Sequence, residues 1–139
     1  MTTPDPKLML GGPIARRILE DARTIVERVR DHSGINPTLA TVIVGDDPAS
    51  HTYVRMKRKR CEDASMGSVS VELPRGTTTE QLVRRIHTLN ADPGIHGILL
   101  QHPVPEPIER RAAFEAIAPE KDVDGVTSAM LGRVMLHMP

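Results

Sequence analysis

Three polar side chains in one short stretch, SHTYVRMKRKRCEDA, have the types and spacing of a proton-transfer site. Ser50, Tyr53, Lys57 and the lone Cys61 fall at i, i+3, i+7 and i+11, which on a helix is one face. The stretch follows a short β-branched run, and functional groups in open α/β sheets gather beyond the carboxyl ends of strands. A partly buried lysine near other cations and a neutral hydrogen-bonding group is suited to proton transfer. Lys57 is therefore a candidate catalytic residue.

The remaining basic residues of this stretch have a simpler interpretation. Arg55, Arg58 and Lys59 point away from that face, and we expect them to form an ordinary solvated helix surface. The spacing leaves a second interpretation open for Lys57 as well, in which its stem lies along the helix and its charge stays in water.

Two further stretches place polar groups beyond predicted elements. Gln101 comes directly after the apolar run of IHGILLQHPVP, and EKDVDGV places Asp122 and Asp124 in a turn with Gly125. Each has a structural alternative: Gln101 can cap backbone groups at a strand end, and Asp-Gly is a common turn pair. Their predicted position at the edge that follows the strands makes them candidates to act with Lys57.

The elements that would hold these groups form an α/β pattern. We predict strands over 38–45, 68–74 and 95–105, separated by helices over 13–32, over 49–66 and from Thr77, where a Glu three residues later signals a capped start. A fourth short helix lies in 107–120, before a final apolar segment. Strands alternating with helices indicate a small, mainly parallel sheet flanked by helices. Residues 1–12 are predicted to be a loose segment, and 13–139 a single domain.

Composition excludes several classes of function. The 139 residues carry 18 Lys and Arg against 18 Asp and Glu, and aromatic residues make up 1%, which argues against binding nucleic acid or an anionic membrane. No apolar stretch approaches the roughly 20 residues of a membrane span, and the amino terminus lacks a signal-peptide pattern. With one cysteine and six histidines without ligand spacing, we expect a cytoplasmic protein that binds no metal.

Taken together, three segments resemble the bifunctional methylenetetrahydrofolate dehydrogenase/methenyltetrahydrofolate cyclohydrolase family. They are VGDDPASHTYVRMKRKRCEDASMG, LNADPGIHGILLQHPVP and PEKDVDGVTSAMLGR, in this order. The chain looks like the N-terminal catalytic domain of that family, an α/β domain bearing a folate cleft. The resemblance implies a role in one-carbon metabolism, interconverting 5,10-methylene-, 5,10-methenyl- and 10-formyltetrahydrofolate.

The resemblance also implies roles for single residues. Tyr53 and Lys57 match the family's Tyr-x-x-x-Lys motif, in which the lysine assists proton transfer and the tyrosine packs by the pterin and organises the lysine. Gln101 matches the glutamine that hydrogen-bonds this lysine and helps to set its protonation. These three residues are the implied catalytic set.

Four other residues are implied to bind the substrate. Asp124 matches the aspartate that holds the pterin ring, because a carboxylate can accept from two N–H donors. Ser50 matches a polar position lining the pocket, and Pro103 and Val104 would contribute to its apolar wall. Tetrahydrofolate derivatives are thus the expected ligands.

A nucleotide site is the part of the family pattern that this sequence does not supply. The family uses NADP, which binds to a second, Rossmann-type domain, and neither VIVGDDPAS nor LGGPIARRI has the required Gly-rich fingerprint. We assign no residue of this chain to a cofactor. The resemblance leaves a second copy of the chain, or a separate nucleotide-binding protein, as a partner. It also leaves an alternative function, a truncated non-catalytic domain that binds folate or another protein.

Overall fold

A computed structural model describes residues 10–138, in which helices and parallel strands alternate along the chain. The helices are α1 (Gly11–Ser33), α2 (Pro48–Asp63), α3 (Thr79–Ala91), α4 (Arg110–Glu115) and α5 (Ser128–Met135), with a 3-10 turn at Pro119–Lys121. The strands are β1 (Thr38–Val44), β2 (Gly67–Leu73) and β3 (Gly97–Leu100). The predicted order of elements is confirmed.

The sheet has the strand order β2-β1-β3, with every pairing parallel. Val42, in the central strand β1, lies opposite Val71 on one side and Leu100 on the other. Strand β1 is buried from Ala40 to Val44, as expected of a strand covered on both faces. Because the strands are parallel, their carboxyl ends meet at one edge of the sheet. The prediction of a small parallel sheet flanked by helices is confirmed.

An aliphatic core holds α3 against the sheet. Leu82, Ile86 and Leu89 recur at helical spacing on α3 and are all buried. They belong to one cluster with buried residues of every strand, among them Val42, Val71 and Ile98.

Helix boundaries differ from the sequence prediction by a few residues. Helix α1 begins at Gly11, two residues before the predicted start, and is closed by Gly34 in a left-handed conformation, with φ 70°. Helix α3 is started by a capping box of Thr78 and Gln81, one residue beyond the predicted pair of Thr77 and Glu80. The hydroxyl of Thr77 instead donates to the carbonyl of Pro74 at 2.6 Å.

Strand β3 is much shorter than the predicted 95–105. After Leu100 only one more ladder bond forms, from the N–H of Gln101 to the carbonyl of Val42 at 2.8 Å. The prolines at 103 and 105 have no N–H to continue the ladder. The chain therefore leaves the sheet directly after Gln101.

A later segment lies along the free side of β3. Asp122 forms a parallel bridge with Ile98. Gly97 permits this close approach, because a Cβ added there would lie 2.6 Å from Cγ1 of Val123. Through this bridge, the backbone at Asp122 lies beside β3 at the edge of the sheet.

Part of the predicted loose segment, residues 1–9, lies outside the described residues, as does Pro139. Gly11 and Gly12, which were assigned to that segment, form the first turn of α1. In the described range 10–138, no helix is both long and apolar enough to cross a membrane.

Candidate active site

Lys57 and Gln101 meet at the carboxyl edge of the sheet. The ammonium of Lys57 donates to Oε1 of Gln101 at 3.0 Å, although the two residues are 44 positions apart in the chain. Helix α2, which follows β1, supplies the lysine, and the end of β3 supplies the glutamine. Since β1 and β3 are neighbours in parallel register, the sheet itself brings these two side chains together.

The orientation of the Gln101 amide is determined by its two partners. Its Nε2 donates to the carbonyl of His102 at 2.8 Å, and a carbonyl can only accept. The opposite end must therefore present Oε1, which is the acceptor that the Lys57 ammonium requires. Gln101 is 8% exposed, so this arrangement is held away from bulk water. A neutral acceptor thus holds the lysine nitrogen in place.

Helix α2 places Lys57 at the boundary between its buried and exposed sides. At 3.6 residues per turn, Val54, Cys61, Ser50, Lys57 and Tyr53 follow one another around the helix in steps of about 20–40°. The first three are buried, Lys57 is half-buried and Tyr53 is 57% exposed. The ammonium can therefore reach both the glutamine inside and a ligand outside.

Tyr53 does not hold the lysine in this structure. Within residues 10–138 its hydroxyl makes no hydrogen bond to Lys57. It stands one helical turn before Lys57, and with 57% of it exposed its ring is accessible to a ligand.

Ser50 serves the helix start. Its backbone N–H donates to Oδ2 of Asp47, the N-cap of α2, at 2.7 Å. Hydrogen bonds from this N–H and from the Ser50 hydroxyl hold the pKa of Asp47 below its ordinary value. Ser50 is buried, and its backbone N–H is the group through which the Asp47 side chain caps the start of α2.

Pro103 and Val104 line an open cavity of about 270 Å³ beside the ends of β1 and β3. Val104 also packs against the core, whereas Pro103 is exposed. The other residues of this cavity are Val44, Gly45, Asp46, Asp47, Arg75 and Pro105. The two predicted wall residues thus follow Gln101 closely in the chain, but they line a cavity that Gln101 and Lys57 do not line and that also contains two carboxylates.

Asp124 lies two residues after the bridge that Asp122 forms with Ile98 of β3. The chain bends at residues 123 and 124 and does not continue as a strand. Asp124 is exposed and lines a cavity of about 440 Å³ with Phe114 and Val126. The structure therefore brings Lys57 and Gln101 into contact, whereas Asp124 lines a cavity that neither of these two residues lines.

Residues 9–124 match the family described as Tetrahydrofolate dehydrogenase/cyclohydrolase, catalytic domain. This match covers well over half of the chain. The protein belongs to the tetrahydrofolate dehydrogenase/cyclohydrolase family. The resemblance noted in the three sequence segments is confirmed, and the chain corresponds to the N-terminal catalytic domain.

Curated relatives and solved structures of this family agree. The chain is 52% identical over 126 residues to the bifunctional protein FolD of Saccharophagus degradans, covering 91% of this chain and 45% of that protein. It is 50% identical over 137 residues to bifunctional protein FolD 1 of Streptomyces avermitilis, covering 99% of this chain and 48% of that protein. The chain thus spans about half the length of these relatives.

Two solved structures share its fold closely. The bifunctional FolD enzyme of Campylobacter jejuni superposes with a TM-score of 0.89 at 36% identity, covering 92% of this chain and 45% of that one. The dehydrogenase-cyclohydrolase of Trypanosoma brucei, solved with NADP cofactor and an inhibitor, gives a TM-score of 0.90 at 34% identity, covering 95% and 45%.

Spacing arguments do not reveal the structural hydrogen bonds made by two residues just before Asp124. Lys121 donates to the carbonyls of Leu89, Asn90 and Asp92 at 2.8–3.2 Å, and so caps the carboxyl end of α3. Asp122, which the sequence suggested only as a turn residue, is buried and accepts two backbone N–H bonds. The available signal was the first Asp of Asp-x-Asp-Gly, at the start of a loop with Thr five residues later.

The environment of the Asp122 carboxylate predicts how the free energy of unfolding depends on pH. Burial raises its pKa, but hydrogen bonds from the Thr127 backbone and hydroxyl, and from the Val126 and Gly125 N–H groups, bring the net value below the ordinary one. Its stabilising contribution is therefore complete above the unfolded-state pKa of about 3.9 and is lost as pH falls through the lower folded-state value.

We expect Asp122→Asn to lower the free energy of unfolding by about 1–3 kcal/mol at pH 7. In urea titrations from pH 7 down to pH 3, this difference from the wild type should shrink only below about pH 4, because carboxylates shared by both proteins cancel. A difference that stays constant down to pH 3 would contradict the assignment.

Proposed function

We propose that this chain is the tetrahydrofolate-binding catalytic domain of a methylenetetrahydrofolate dehydrogenase/methenyltetrahydrofolate cyclohydrolase. Its reactions would interconvert 5,10-methylene-, 5,10-methenyl- and 10-formyltetrahydrofolate. The observation that carries the proposal is the 3.0 Å contact between Lys57 and Gln101 at the sheet edge, in a chain whose residues 9–124 match this domain.

Lys57 would move the proton in the cyclohydrolase step. Hydrolysis of the 5,10-methenyl bridge adds water to its carbon, and a proton must leave that water as the ring opens to the 10-formyl product. A half-buried lysine held by a neutral amide would accept this proton as the free amine and return a proton to N5 as the bond between N5 and the bridge carbon breaks, while the second proton of the water leaves to solvent. Gln101 holds the lysine nitrogen and accepts from it.

Tyr53 and Asp124 would both bind the pterin. The exposed ring of Tyr53 offers an apolar face, and the Asp124 carboxylate accepts from adjacent N–H groups, such as those on the pterin edge. Pro103 and Val104 would form the apolar wall next to Gln101. Ser50 would support this surface through the start of α2.

The described residues do not fit an NADP site. In a dinucleotide-binding turn, glycines and a helix amino terminus receive the pyrophosphate. The β1–α2 turn instead has a single glycine followed by Asp46 and Asp47, and Asp47 already caps the helix. We therefore assign NADP, the cofactor in the Trypanosoma brucei structure, to groups outside residues 10–138, and route no step of hydride transfer through these residues.

Hydrolysis of 5,10-methenyltetrahydrofolate tests the proposal directly. The loss of its absorbance is followed with and without the chain, and calorimetry with tetrahydrofolate measures binding. Turnover above the spontaneous rate supports the catalytic function. Binding without turnover supports the alternative, a non-catalytic folate-binding domain, and absence of binding contradicts both.

We further propose a cytoplasmic protein that self-associates, in keeping with its single, buried cysteine and with exposed apolar side chains on α1. Ile14 and Ile18 of α1 are 64% and 62% exposed on one face. In size-exclusion chromatography we expect the wild type to elute larger than a 15.3 kDa monomer, and Ile14→Lys/Ile18→Lys to elute as the monomer. A clean wild-type monomer would contradict self-association.

A further inference from the structure

We propose that Asp122 is a positioning residue for folate binding. Its carboxylate holds the loop of residues 122–127 so that Asp124 faces the ligand. The proposal rests on the proposed function of Asp124 in binding the pterin. Asp122 itself is 7% exposed and would not touch the substrate.

The Asp122 carboxylate spans the residue that it is proposed to position. Its Oδ1 accepts from the N–H of Gly125 at 2.9 Å, and its Oδ2 accepts from the N–H of Thr127 at 2.8 Å. Asp124 lies inside this bracket. Because both oxygens are engaged on backbone groups, the path of the chain from 122 to 127 depends on one side chain.

Asp124 has little else to fix its position. It is exposed, and within residues 10–138 its carboxylate makes no hydrogen bond. The base of the loop is anchored by Lys121 on the α3 carbonyls and by the bridge of Asp122 to Ile98. Beyond these anchors, Val123 packs at Gly97 and Val126 packs against the core, and the Asp122 carboxylate is the side-chain group that spans Asp124 by hydrogen bonds.

Replacing one oxygen of Asp122 by an amide nitrogen should release the loop next to Asp124. An asparagine keeps one acceptor, and its NH₂ group then faces a second N–H donor. The bond to Thr127 is buried and should be retained, so the bond to Gly125 is lost. Gly125 has φ 67°. Glycine has no intrinsic preference for this conformation, so nothing local keeps the backbone there once the bond is lost.

A double-mutant cycle separates positioning from general destabilisation. Tetrahydrofolate binding is measured by calorimetry for the wild type, Asp122→Asn, Asp124→Asn and the double variant, together with their thermal unfolding midpoints. We expect Asp122→Asn to raise Kd about tenfold when Asp124 is present and less than about twofold when it is replaced. Its unfolding midpoint should fall equally in both backgrounds.

Two further variants complete the test. Ser33→Ala removes another side-chain acceptor of a backbone N–H, that of Ile35 at 3.2 Å after α1, and should leave Kd unchanged. Asp122→Ser, which keeps a short acceptor and forces no amide donor against Gly125, replaces Asp122→Asn in the cycle if the asparagine variant does not fold.

The outcomes distinguish this inference from the proposed function. An equal rise in Kd in both backgrounds would overturn the positioning role while leaving the folate-binding function intact. A wild type that does not bind tetrahydrofolate would overturn both.

Discussion

Lys57→Met is expected to reduce the rate of 5,10-methenyltetrahydrofolate hydrolysis by about 10²- to 10⁴-fold, the range that a positioned proton-transfer group contributes. Methionine keeps the length and apolar stem of lysine but cannot donate to Gln101 or exchange a proton. The loss should fall on kcat more than on KM, because the group acts on the reacting bridge rather than on the pterin.

The same helix provides a matched control. Lys59 is two residues away, its side chain is 73% exposed, and it pairs with Asp63 at 3.1 Å. An exposed pair at this spacing contributes about 0.3–0.5 kcal/mol, so Lys59→Met should leave both stability and turnover nearly unchanged. Equal loss of activity in the two variants would mean that the positive charge of α2, and not the contact with Gln101, matters for the reaction.

Ile98→Ala should be the most destabilising single change among those considered, at about 2–5 kcal/mol in the free energy of unfolding. Ile98 is 0% exposed, lies in the core cluster and forms the bridge with Asp122. Truncation removes apolar contacts and leaves a cavity that the short strand β3 can fill only partially.

Urea unfolding measures this cost, with Val69→Ala as the comparison. Val69 is 38% exposed on β2, so its truncation should change the free energy of unfolding by no more than about 0.5 kcal/mol. Ile98→Val, which removes a single methylene, should lie between the two at about 0.5–1.5 kcal/mol. A cost for Ile98→Ala no larger than that for Val69→Ala would show that β3 does not depend on this side chain.

The α/β architecture could be predicted because each element has a local signal. The β-branched run before Val44 and the helical periodicity of α3 are visible in short windows of sequence, and parallel topology follows from their alternation. The predicted length of β3 was wrong: the apolar run ends at Leu100, and the prolines that follow Gln101 remove the donors that a longer ladder would need.

The site was predictable to a smaller extent. Helical spacing correctly grouped Ser50 and Lys57 on one face, but it cannot say which angle of that face packs on the sheet, and this decides that Ser50 is buried and Tyr53 exposed. Pairing of Lys57 with Gln101 came from the family resemblance and the edge rule together. The bracket made by Asp122 depends on the path of a loop, which has no periodic signal.

Gly97 sets how closely β3 and the segment at Val123 can pack. Val123 occupies the space that a methyl group at position 97 would need, with Leu39 on its other side. Any residue larger than glycine at position 97 would push apart β3, which Gln101 follows, and the loop that bears Asp124. The distance between β3 and the segment that bears Asp124 therefore depends on the absence of a side chain at position 97, and we expect larger residues there to disturb the proposed folate surface without contacting the ligand.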